Sequence, residues 1–66
     1  MIEYTNSVVV RVIDEYIHSE RDRAIIKRRL IDGRTIEQLA EEFDRSPRAM
    51  QRTVARLQAK VFFYMR

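Results

Sequence analysis

Residues 44–52 read DRSPRAMQR, and Arg48, Arg52 and Arg56 then recur at every fourth position with Gln51 beside them. None of these side chains is a nucleophile or a proton shuttle. A guanidinium presents a planar fork of N–H donors, and a carboxamide offers a donor and an acceptor side by side. Their chemistry is recognition by paired hydrogen bonds. In the major groove of duplex DNA, arginine matches the two acceptors of guanine and glutamine matches adenine. Arg48, Gln51 and Arg52 are therefore candidates for base edges. Arg45, the Ser46 hydroxyl and the amides of a helix start suit phosphates, with Arg56 and Lys60 further along the same segment. Thr35, at an earlier helix start, offers another backbone contact.

The charge distribution supports a polyanionic partner. The net charge is only +3. Residues 45–66, however, hold Arg45, Arg48, Arg52, Arg56, Lys60 and Arg66 with no acid, whereas residues 35–44 hold Glu37, Glu41, Glu42 and Asp44 with no base. Residues 19–34 are mixed but basic, and residues 1–18 are weakly acidic. An acid-free stretch is an electrostatic footprint that the total charge conceals.

Positioning these residues requires helices. One glycine and one proline in 66 residues are too few turn formers for an all-β fold. Four helical segments are expected, at 7–17, 20–32, 36–43 and 47–64. In the first, Val9, Ile13, Tyr16 and Ile17 share a face. Its β-branched opening SVVVRVI also fits an extended segment, but IDEYI continues the helical spacing without a turn signal. Ser19 reads as the N-cap of the second, with Glu20 and Asp22 suiting its positive end and Lys27, Arg28 and Arg29 its negative end. Gly33 follows as the residue that closes it at positive φ. Thr35 and Gln38 form a capping-box pattern before the third helix, whose inner face is Ile36, Leu39, Ala40 and Phe43. Asp44 then tolerates the left-handed region, and Ser46 and Pro47 start the fourth helix as cap and first residue. At about 100° per residue, Met50, Thr53, Val54, Leu57, Val61 and Tyr64 fall on one side. Arg48, Arg52, Ala55, Arg56 and Ala59 fall on the other.

Cap, short helix, tight turn, second cap and longer helix, from Thr35 to Leu57, is the sequence form of a helix-turn-helix. At this point the stretch RDRAIIKRRLIDGRTIEQLAEEFDRSPRAMQRTVARLQAKV resembles the fourth region of bacterial sigma factors, which reads the promoter −35 element. It resembles still more closely the small sigma-like regulators of phages and mobile elements. The pattern is carried by LIDGRT, TIEQLA and SPRAMQR, and the likeness spans roughly residues 12 to 61. It implies that Arg48, Gln51, Arg52 and Arg56 face DNA and that Ser46 and Thr35 contact its backbone. It also implies RNA polymerase as a second partner. Two positions depart from the pattern. Asp44 stands where the family has glycine, which would distort the turn slightly, and Arg45 replaces an aliphatic residue, exchanging a core contact for a phosphate contact. The chain also has no room for the promoter-melting domain of a complete sigma factor, so it would act as a docking module.

Other features point elsewhere or nowhere. The absence of cysteine excludes disulfides and cysteine-ligated zinc. His18 stands without partner ligands nearby, so no metal or cofactor is expected, and no nucleophile–base arrangement or phosphate loop suggests an enzyme. No apolar run reaches membrane-spanning length and no signal peptide is evident, so a cytoplasmic protein without a membrane partner is expected. In VFFYM at 61–65, Phe62 and Phe63 fall off the inner stripe. Either the N-terminal helix folds across them or they form an apolar patch for a homodimer or protein partner. The reading is one all-α, four-helix domain (1–66) containing a helix-turn-helix and binding duplex DNA as a transcription regulator. A sigma-region-4-like module that binds only polymerase or an anti-sigma-type partner, and a helical homo-oligomer, are its rivals.

Overall fold

In the computed structural model, residues 6–65 are described, and they form four α-helices with no strand among them. The helices are α1 (Asn6–Tyr16), α2 (Glu20–Leu30), α3 (Ile36–Glu42) and α4 (Pro47–Tyr64). Residues 7–10 are helical, so the valine run follows IDEYI and not its own β propensity. The expected ends at 17, 32 and 43 are each one or two residues too long, because Ile17, Ile31 and Phe43 close the helices from just outside. α4 has the expected bounds.

The starts of α2, α3 and α4 are each fixed by a local side chain. Ser19 Oγ accepts from the Asp22 amide at 3.3 Å, and Ser46 Oγ accepts from the Ala49 amide at 3.2 Å. At α3 the capping box is reciprocal: Thr35 Oγ1 accepts from the Gln38 amide at 3.1 Å, while Gln38 Oε1 accepts from the Thr35 amide at 2.9 Å. The two turns are closed by left-handed residues. Gly33 has φ +70°, and the Arg34 amide donates back across it to the Arg28 carbonyl at 3.1 Å. Asp44 has φ +54°, and the Arg45 amide donates across it to the Ala40 carbonyl at 2.8 Å. An aspartate here thus takes the left-handed position that glycine takes in the α2–α3 turn.

The helices pack around one core. Ile13 and Ile17 of the first segment, Ile25 and Ile26 of α2, Leu39 and Ala40 of α3, and Met50, Val54, Leu57 and Val61 of α4 are all buried. Val12 and Met65 join them, and Val9, Tyr16, Leu30, Ile36 and Phe43 pack partly buried around the edge. Tyr64, expected on the inner face, is 41 % exposed. Its ring instead stacks on Tyr16 at 3.7 Å between centroids, joining α1 to α4 at the surface. Exposed ion pairs cross the helix boundaries: Lys27 to Asp14 at 2.8 Å, Arg28 to Glu42, and Arg56 to Asp22 at 3.4 Å. The Arg28 guanidinium also lies over the Phe43 ring at 5.5 Å. No helix among the described residues is long and apolar enough to cross a membrane.

Candidate functional site

The candidate residues depend on the orientation of α4, and that is set by burial. Met50, Thr53, Val54, Leu57 and Val61 occupy its inner stripe. A helix pinned at 3.6-residue spacing over three turns cannot rotate without exposing one of them. Arg48, Gln51, Arg52, Ala55, Arg56, Ala59 and Lys60 are consequently exposed on the remaining surface. The two alanines leave the helix backbone accessible between the basic side chains.

The side chains differ in how free they are. Among the described residues no hydrogen bond or ion pair engages Arg48, Gln51, Arg52 or Lys60, whereas two other candidates are engaged. The Arg45 guanidinium was expected to have exchanged a core contact for a phosphate contact. Instead it is half-buried and donates to Thr53 Oγ1 at 3.2 Å. It satisfies the one polar side chain in the inner stripe of α4, because a buried hydroxyl without a partner is costly. Arg56 donates to Asp22 Oδ2 at 3.4 Å, so its charge is already partnered. Neither relation is visible in sequence, since each needs a distance between residues 8 or 34 positions apart.

The helix starts offer less to an anion than the sequence suggests. In the first turn of α4, Pro47 has no N–H and the Ala49 amide is taken by Ser46, leaving that of Arg48. Ser46 is exposed and retains a hydroxyl proton to donate. Thr35 is likewise exposed, with its oxygen taken by Gln38 and its own amide closed by the Gln38 side chain. Both cap hydroxyls flank α3, whose Glu37, Glu41 and Glu42 are exposed, with Glu42 paired to Arg28 of α2.

His18 is exposed in the α1–α2 link. Among the described residues no group of three or more His, Cys, Asp or Glu side chains is placed to hold a metal. A polar groove lined by Arg28, Arg34, Gln38, Glu41 and Glu42 carries both signs of charge and has no apolar floor. The last turns of α4 carry Phe62 at 48 % and Phe63 at 61 % exposure, the latter edge-on to Tyr64 at 5.2 Å. Both rings keep much of their surface exposed, and α1 meets this end of α4 through Tyr16. Comparison of the chain with family models, with curated proteins and with solved structures gives no match.

Proposed function

We propose that this protein binds duplex DNA in a sequence-specific manner and regulates transcription, with α3, the Asp44 turn and α4 acting as a helix-turn-helix. One observation carries the reading. Arg48, Gln51 and Arg52 stand exposed, and unengaged among the described residues, on the first turns of a capped helix whose opposite side is locked in the core. Eighteen residues make a helix of about 27 Å. That is longer than the major groove is wide, about 12 Å, so the first half of α4 enters and the second half projects beyond. Arg48, Gln51 and Arg52 then read base edges. Thr35, Ser46, Arg56 and Lys60 serve phosphates, and Arg45 chiefly braces Thr53. The likeness of LIDGRT, TIEQLA and SPRAMQR to sigma region 4 supports the same assignment.

The test is a titration of duplexes selected from a random pool. Arg52→Ala should weaken the selected site by about 1–3 kcal/mol and relax discrimination at one base pair. Lys60→Ala should weaken all duplexes alike and lower the log–log salt slope by about 0.9. Failure of the wild-type chain to bind any duplex at low salt overturns the reading.

A second reading rests on the exposed Phe62 and Phe63. In it, the last turns of α4 meet a second copy of the chain or a protein partner such as RNA polymerase. Light scattering on the wild type and on Phe62→Ser separates self-association from a monomer, and co-purification with polymerase subunits tests the other partner.

A further inference from the structure

Nothing acidic follows Asp44 in the sequence, yet one carboxylate reaches the outward side of α4. Asp22 Oδ2 lies 3.4 Å from Arg56 Nη2, with the Asp22 side chain 18 % exposed and that of Arg56 64 % exposed. The backbone of Asp22 is fixed by a helix start. It stands in the first turn of α2, where the amides carry partial positive charge, and its own N–H is capped by Ser19 at 3.3 Å. The short, mostly covered carboxylate is thus the more constrained member and the long, exposed guanidinium the more mobile one.

We infer that Asp22 is an intramolecular competitor for the phosphate that Arg56 would otherwise hold, and so a built-in brake on DNA affinity. The inference rests on the DNA-binding reading above. Counterion release follows the net charge a protein brings to the phosphates, and a guanidinium closed on a carboxylate brings none. Arg56 gains a phosphate only by opening the pair. Phosphate contacts carry no sequence information, so the brake acts on all duplexes alike and leaves the choice of site to Arg48, Gln51 and Arg52.

The experiment compares the wild type, Asp22→Asn, Arg56→Ala and the double variant on one selected and one random duplex, at 50 and 200 mM salt. An exposed ion pair of ordinary strength sets the scale, so Asp22→Asn should tighten both duplexes about two- to fivefold. Gaining one phosphate steepens the slope by about 0.9, which makes the gain roughly threefold larger at the lower salt. Asp22→Ser, also neutral and compatible with a first helical turn, should reproduce it. In the Arg56→Ala background the gain should vanish. A gain that persists there means plain repulsion by the carboxylate, and unchanged or weaker binding by Asp22→Asn means no competition; each overturns the inference while the DNA-binding reading stands. Absence of binding by every form, with thermal melts intact, overturns both.

Discussion

Gly33 and Asp44 are the two residues of the described chain with positive φ, at +70° and +54°, and they should respond to mutation with opposite signs. A Cβ in the left-handed region costs about 1–2 kcal/mol, while removing glycine from the unfolded chain returns about 0.4–1 kcal/mol. Gly33→Ala should therefore lower stability by about 0.5–1 kcal/mol, with no steric addition because a Cβ there meets nothing within 4 Å. Asp44→Gly should raise it by a few tenths, since aspartate tolerates this region better than most residues. Urea unfolding of the two variants checks both signs. Residue roles of this kind were legible in sequence because backbone conformation is a local property. The work of Arg45 was not: its replacement of an aliphatic residue looked like a loss to the core. Only the fold brings it beside Thr53, where it completes the core.

At the scale of elements, the caps were the most legible feature, since each joins residues three apart. Ser19, Thr35, Gln38 and Ser46 were all assigned from spacing alone. Their energetic weight should differ with helix length. α3 has seven residues, too few to hold itself together, since isolated helices shorter than about 12 residues are marginal in water. Losing the Thr35 cap should cost about 1 kcal/mol in global stability and also raise local exchange. Thr35→Ala is thus expected to accelerate amide hydrogen exchange of Leu39 and Ala40 ahead of the rest of the core. Ser46→Ala, at the head of an 18-residue helix, should lower global stability by a similar amount without that local signature. The inner stripe of α4 followed from its 3.6-residue periodicity, except at its end. Tyr64 continues the period but emerges at the surface: Met65 takes the buried position at the end of α4, and the Tyr64 ring stacks on Tyr16 instead.

Across the whole molecule, charge and stability should separate. The pairs that bridge helices are all at least partly exposed, and exposed pairs contribute about 0.2–1 kcal/mol each and are screened by salt. The core of α1, α2, α3 and α4 is apolar. Raising salt from 50 to 500 mM should shift the melting temperature by only a few degrees. Over the same range DNA affinity should fall by orders of magnitude if several phosphates are neutralised. Differential scanning calorimetry beside the duplex titration makes that comparison. A fall in both together would mean that ion pairs hold the fold, contrary to the burial pattern. The acid-free segment was legible as charge in the sequence. Asp22 closing on Arg56 from α2 was not, because net charge by segment ignores which elements lie side by side.

The stacked pair of Tyr16 and Tyr64 also gives the molecule an optical handle. The chain has no tryptophan and three tyrosines, so its near-ultraviolet signal is dominated by these rings. Two phenols held face to face at 3.7 Å and 2° between planes sit in a fixed asymmetric environment and contribute a near-ultraviolet circular-dichroism band that freely rotating tyrosines lack. The band should persist while α1 is docked on the end of α4 and collapse when it lifts. Tyr16→Leu should abolish it while leaving the far-ultraviolet helical signal in place. Docking of the first helix could then be followed in the unlabelled protein, during unfolding or on addition of DNA, without a probe at the basic surface.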